Sequence, residues 1–529
     1  MNRLFFKKSG YVSKVIYVVI TTVITLISNC SMVPNSISDG SLSENNYDYS
    51  NPVVCPEFNT EEYASLNENP FLSVSSSPLS TFSIDVDAAS YSNCRRFINE
   101  GSLPPSGSVR LEEFINYFKY EYPEPQGSDP IGAHVEIAQC PWDSGHTLAK
   151  IGIKARTIPQ KNLPPAHLTY LLDVSGSMSD YNKLPLIKQA FTFLLEKLRE
   201  EDKVAIIVYA GSAGVVLQPT SGAKKSQIEK AIESLQAGGS TAGGAGINTA
   251  YNIAESMYSQ NASNRVILAT DGDFNIGESS EAGLVELIKQ KRNKGIFLTV
   301  LGFGMGNYKD SKMEALADNG NGNYAYIDGI AEAKRVFLNE FSGTIFTVAK
   351  DVKIQVEFNP TSVKSYRLIG YENRVLHNED FKNDSVDAGE VGSGQTVTAF
   401  YELIPTSSSE TDPGTDSLRY QAQTLLSSPS DEFFFVKIRY KDPDGSESKL
   451  ITQPVGKECF TTSPSPDFLF AASVAEFGLI LRPSQYKGSA SYYHIASVAE
   501  KCIGGDVDGF RKEFVALVKT AQELTDRRE

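Results

Sequence analysis

The stretch "LTYLLDVSGSMSD", Leu168 to Asp180, decides how the rest of the chain is read. An apolar run stops abruptly at Asp173, and Ser175 and Ser177 follow at alternate positions. A short run of this kind suits a strand buried on both faces, and such strands belong to parallel sheets covered by helices. The polar residues then stand at the carboxyl end of that strand. Three chemistries use such a position: a nucleophile, a set of metal ligands, or a turn that caps the next helix.

The surrounding texture supports the parallel sheet. Further strands are predicted at Val204–Tyr209, Val215–Gln218, Arg265–Ala269, Ile296–Leu301 and Tyr324–Ile327, between helices at 183–199, 225–235, 244–257, 281–291, 312–318 and 331–339. This alternation predicts an α/β fold, a doubly wound, mostly parallel sheet. The pair 204–209 and 215–218 reads as a hairpin with one antiparallel edge strand. In such a sheet, ligands bind beyond the carboxyl ends of the strands, where the strand order switches. Two more polar clusters fall there: "GGSTAGG" with Thr241, and "ATDGD" with Asp271. Two carboxylates and three hydroxyls are all oxygen donors, which suits a hard divalent cation.

An Asp-x-Ser-x-Ser element, a loop threonine and a later Thr-Asp-Gly aspartate resemble the metal-ion-dependent adhesion site of von Willebrand factor type A (VWA) domains. The resemblance runs from Ala166 to about Thr347. It implies a Rossmann-like VWA domain whose metal ligands are Asp173, Ser175, Ser177, Thr241 and Asp271, with Mg2+ (or Mn2+) as cofactor. It also implies a protein ligand that offers an acidic side chain to the metal. The flanks extend it. "PLSTFSIDVDAASYSNCRRFINEGSLPP" followed by "VRLEEFINYF" is similar to the N-terminal module of the exported bacterial VWA proteins of YfbK type, and Val352 to the end resembles their C-terminal module.

Other readings of the same residues fit less well. "DVSGSM" is not the strained G-x-S-x-G elbow of a serine nucleophile, and none of the five histidines falls at a strand end of the α/β segment. Aspartyl phosphotransfer calls for a second carboxylate where Ser175 stands. "DGDFNIG" (Asp271–Gly277) has Ile276 where a calcium loop needs its glycine. "GFGMGN" (Gly302–Asn307) lacks the lysine of a phosphate loop and reads as a tight turn. Asp85 and Asp87 read as strand-end and helix-cap residues.

The amino end reads as a targeting segment. Arg3, Lys7, Lys8 and Lys14 precede the apolar run "VIYVVITTVITLIS", too short for an ordinary membrane span, which closes at Cys30. This resembles a lipobox, with Asn29 in place of the usual small residue, and implies lipidation at Cys30. An uncleaved anchor is the alternative, and either one exports the chain. No Lys or Arg occurs from Ser31 to Asn93, and residues 31–70 are polar enough to be a flexible tether. The net charge of −15 over 529 residues argues against nucleic acid as a main partner, because there is no basic surplus to displace counterions. The remaining cysteines form no CxxC pair and read mostly as small buried hydrophobes, with one bridge left open by export to an oxidising compartment.

The expected architecture is therefore a signal segment (1–30), a tether (31–70), an α+β N-terminal module (71–165), the α/β domain (166–347) and a C-terminal module of β-strands followed by helices (348–529). The expected protein is not an enzyme. It is a lipid-anchored protein of the bacterial cell envelope, periplasmic or at the outer surface, that binds a protein partner through its metal. A scaffold with a merely stabilising ion and a metal-dependent hydrolase are the alternatives.

Overall fold

The computed structural model describes residues 60–239, 243–272, 281–306, 308–412 and 431–528. Among the described residues, four strands precede the α/β segment: β1 (Leu72–Ser73), β2 (Leu79–Ser83), β3 (Ile131–Gln139) and β4 (Thr147–Ala155). The α/β segment holds β5 (Ala166–Asp173), β6 (Lys203–Tyr209), β7 (Ala213–Ser221), β8 (Ser263–Thr270), β9 (Ile296–Phe303) and β10 (Tyr324–Ile327). After it come β11 (Thr347–Phe358), β12 (Val363–Ile369), β13 (Gly389–Gly392), β14 (Thr396–Pro405), β15 (Glu432–Lys441) and β16 (Ser448–Gly456).

The α/β segment forms a sheet in the order β10-β9-β8-β5-β6-β7. All pairings are parallel except β6 with β7, the antiparallel edge hairpin read from the sequence. Strand β5 is buried along its whole length. Helices Leu184–Lys197 and Lys225–Glu233 cover one face, packing Ile187, Phe191 and Ile228 against Leu168, Tyr170 and Ile206. Helices Gly243–Ser256, Glu281–Asn293 and Asp310–Asn319 cover the other, with Ile247, Ile288 and Leu316 against Leu171, Leu268 and Val300. Alternate residues of β5, β6, β8, β9 and β10 supply the two cores, so these strands must be apolar on both sides, whereas the edge strand β7 contributes only Leu217.

The flanking segments depart from the expected pair of modules. Strands from both sides of the α/β segment share sheets: one runs β1-β12-β14-β4-β3, and in the other β2 and β15 both pair with β11. The two sheets enclose one core of Phe82, Ile137, Ile151, Ile354, Phe358, Tyr401 and Val436. Helices Ala89–Asn99 and Leu111–Asn116 pack with Phe468, Phe477, Phe514 and Val518 of the carboxyl-terminal helices in a further core. Residues 71–165 and 348–529 are thus one interleaved body, with the α/β domain inserted between β4 and β11. The physical reason is stability: β3 and β4 alone would be a two-stranded hairpin, marginal in water, until β14 covers the open edge.

Buried ion pairs join the inserted domain to this body. Arg95 reaches Asp328 at 2.6 Å and Glu332 at 2.8 Å, Arg110 reaches Asp310 at 2.5 Å, and Arg374 bonds both Asp85 (3.1 Å) and Asp318 (2.8 Å). Asp87 accepts from the backbone N–H of Tyr324 at 2.9 Å. Neither Asp85 nor Asp87 caps the helix after it, whose start carries no side-chain cap. The reading of Asp87 as a helix cap is corrected accordingly: both carboxylates serve the junction between body and domain. Cys94, Cys140, Cys459 and Cys502 are free thiols, the first two and Cys502 buried; Cys30 and Cys55 lie outside the described residues. Among the described residues, no helix is long and apolar enough to cross a membrane.

Candidate metal centre

Strands β5 and β8 are neighbours, and Leu172 pairs with Ala269. Asp173 and the Thr270–Asp271 pair therefore leave the sheet side by side at its carboxyl edge. Strand β6 lies on the other side of β5, so this is the point where the strand order switches. Asp173, Thr270 and Asp271 are completely buried, and Ser175 nearly so.

Local hydrogen bonds shape the first loop. The Asp173 carboxylate accepts from the Ser175 backbone N–H at 2.8 Å and from the Thr270 hydroxyl at 3.5 Å. The Ser175 and Ser177 hydroxyl oxygens lie 3.0 Å apart. The second loop is laced to the first: Gly238 N–H donates to the Val174 carbonyl at 2.8 Å, and Gly176 N–H to the Gly239 carbonyl at 3.0 Å. Thr241 follows two residues later and lies outside the described residues, as does Cys30. The third loop turns at Gly272, whose φ is +94°. A Cβ there would stand 2.8 Å from Lys309 N and 2.9 Å from Tyr308 Cα, so the Thr-Asp-Gly turn requires its glycine.

Burial pushes the Asp173 carboxyl above the ordinary range; hydrogen bonds from Ser175 and Tyr209 pull it back in part, and the charge of Asp271 adds to the rise. Two buried carboxylates this close call for a cation. One is already present in the protein. The Lys183 ammonium donates to Asp271 Oδ2 at 3.0 Å, from a side chain that is 6% exposed. Sequence reading placed Lys183 merely at the start of the helix that follows the first loop. A signal was available: a lysine in the first turn works against the helix dipole and asks for another reason to be there.

The donor set fits a divalent cation. Every candidate ligand is oxygen, the donor chemistry a hard divalent cation such as magnesium would take, and the two serine hydroxyls already lie together, hydrogen-bonded at 3.0 Å. Of the five predicted ligands, the structure brings Asp173, Ser175, Ser177 and Asp271 to one edge of the sheet.

A second group of possible ligands lies elsewhere, in the antiparallel body. Ligand atoms of Asp143, His146 and Glu410 fall within 4.8 Å of one another. Both ring nitrogens of His146 are already engaged, Nδ1 with Glu402 at 2.6 Å and Nε2 with Glu410 at 3.1 Å. Burial opposes charging the ring, but these two carboxylates prevail and its pKa is raised to about 9. In this structure the three side chains stand as an ion-pair cluster.

Residues 167–337 match the von Willebrand factor type A domain, residues 57–150 a model described as von Willebrand factor, and residues 343–524 one described as Uncharacterized protein YfbK, C-terminal. Uncharacterized protein YfbK of Escherichia coli (strain K12) is 41% identical over 476 residues, covering 88% of this chain and 82% of that protein. Inter-alpha-trypsin inhibitor heavy chain H3 of Homo sapiens is 26% identical over 193 residues, 35% of this chain and 22% of its own length. Among solved structures, von Willebrand factor type A from Catenulispora acidiphila covers 72% of this chain and 89% of its own, at 16% identity and a TM-score of 0.41. VWA domains generally mediate protein–protein interactions, and many bind a divalent metal at a metal-ion-dependent adhesion site. On the identity to YfbK across most of both chains, together with the matched domains, this chain belongs to the YfbK-type family of VWA-domain proteins.

Proposed function

We propose that this protein is a lipid-anchored receptor of the bacterial cell envelope that captures a protein partner through a divalent cation, Mg2+ or Mn2+. Asp173, Ser175, Ser177, Thr241 and Asp271 hold the ion, and the partner supplies an acidic side chain to a remaining coordination position. The observation that carries the reading is the convergence of four oxygen-bearing side chains at the carboxyl edge of β5 and β8. The ion supplies a Lewis-acidic bond to an incoming carboxylate; the protein's own residues set its charge and orientation. Cys30 carries the lipid, and the acidic stretch after it is the tether.

An enzymatic reading lacks a comparable support. His167 lies at the amino end of β5, opposite Asp173, and His146 is held in its own ion-pair cluster. The test is capture from crosslinked native envelopes by wild type, Thr241→Ala and Asp173→Ala, each in magnesium and in chelator, beside a turnover assay. Capture that requires the metal and fails in Asp173→Ala supports the receptor. Undiminished capture by both variants in either buffer refutes it and favours a scaffold, and metal-dependent turnover favours a hydrolase. Mass spectrometry of the mature amino terminus tests the anchor: residues retained before Cys30 exclude lipoprotein processing.

A further inference from the structure

We infer that Lys183 is an affinity- and specificity-setting residue of the metal centre: its fixed positive charge weakens cation binding and gives the loaded site a net attraction for anionic ligands. This rests on the metal reading above and adds the residue that makes an acidic partner the preferred one.

The charge count carries the argument. Asp173 and Asp271 bring two negative charges, which a divalent cation alone would cancel. Lys183 adds one more positive charge in hydrogen-bond contact with Asp271. Asp180, whose carboxylate lies 3.8 Å from the Lys183 ammonium, is 66% exposed and is screened by water. Counted over the described residues, the loaded centre is therefore net positive by about one charge in a buried setting, where charge is poorly screened. An arriving carboxylate neutralises it; an uncharged ligand does not.

The fold holds Lys183 in place. Its backbone N–H bonds the Asp180 carbonyl at 3.0 Å, and its own carbonyl accepts from Ile187 N at 2.9 Å, which fixes it at the head of the helix. Its stem fills the space above Gly304, where φ is +75° and a Cβ would lie 2.2 Å from Lys183 Cε. Two loops thus shape a slot for this side chain, one ending at Asp180 and the other turning at Gly304. An exposed lysine that drifted against a carboxylate would need neither.

The test is calorimetric titration of Mg2+ into the full chain, with and without saturating acetate as the anionic probe, for wild type, Lys183→Met, Lys183→Gln and Lys183→Arg. Removing the charge should tighten Mg2+ binding roughly five- to tenfold and should abolish the extra tightening that acetate gives the wild type. Lys183→Arg, which keeps the charge, should retain the wild-type response to acetate. A variant that merely damages the fold would weaken Mg2+ binding, the opposite sign, and either neutral variant suffices if the other misfolds. Equal or weaker Mg2+ binding in the folded neutral variants, with binding present in the wild type, overturns this inference and leaves the metal reading standing. No Mg2+ binding to wild type or variants overturns both.

Discussion

Replacing Arg95 by methionine should loosen the joint between the inserted domain and its body. Arg95 is 3% exposed and contacts Asp328 through both carboxylate oxygens, Glu332 at 2.8 Å, Glu513 at 3.1 Å and the Tyr117 hydroxyl at 2.7 Å. Glu332 keeps Arg335 at 2.7 Å after the change. Asp328 loses the cation that opposes its burial and is left as a buried, uncompensated carboxylate. Removing one partner of a buried pair costs about 3–5 kcal/mol. Unfolding entropy near 2.1 cal/mol/K per residue, over about 470 residues, gives roughly 1 kcal/mol per degree, so Tm should fall by about 3–5 °C if body and domain melt together. If the VWA domain melts alone, the same energy shifts its transition by about 8–13 °C. Differential scanning calorimetry separates these outcomes, and Arg95→Met/Asp328→Leu should recover part of the loss because no orphaned charge remains. A single variant within about 1 °C of wild type, with no gain in the double variant, would refute the view that this contact carries the joint.

Other outcomes follow from the same structure. Magnesium or manganese at a hundredfold excess over its dissociation constant should stabilise the full chain by about 2.7 kcal/mol in thermal melts, and Asp173→Ala should remove the gain. Gly272→Ala forces a side chain onto the Tyr308–Lys309 backbone at positive φ; it should lower stability by about 1–3 kcal/mol and weaken metal binding in titrations. The His146 pKa lies above its unfolded value, so its stabilising effect is complete below about pH 6.5 and is lost as pH rises through about 9. The difference in Tm between wild type and His146→Gln, measured from pH 6 to pH 10, should therefore shrink with rising pH; a constant difference would show that the charge is not what stabilises.

The parallel sheet was legible because its parallel strands are local apolar runs separated in sequence by helices. β10 has the predicted bounds, and β5, β6, β8 and β9 extend theirs by one to three residues at the ends. Four of the candidate ligands were legible for a related reason: Asp173, Ser175, Ser177 and Asp271 each follow a strand end within a few residues, so strand placement alone brings them to one edge of the sheet. Lys183 was missed because its partner, Asp271, is distant in sequence and adjacent only across the sheet. The shared body was missed because antiparallel pairing depends on which edges remain open, and no local pattern tells β4 that its partner is β14. β13 went unread altogether: "GEVG" is a weak strand former that exists because β11 offers it an edge.

The insertion has a consequence for how the chain acquires its fold. β4 meets β14 with Lys154 opposite Thr396, and about 190 residues separate β4 from β11. Closing so long a loop is slow and leaves sheet edges open to aggregation. The VWA domain shortens it. Its two ends lie together at the amino edge of the sheet: Ser263 N–H bonds the Pro165 carbonyl at 2.8 Å, and its hydroxyl bonds the Ile345 carbonyl at 2.6 Å. Once that domain has folded from its own local contacts, the connection between β4 and β11 behaves as a loop of about ten residues, and the entropy of closing it falls by about 2–3 kcal/mol. When it folds first, the VWA domain is then also a template that delivers the two halves of the surrounding sheets to each other.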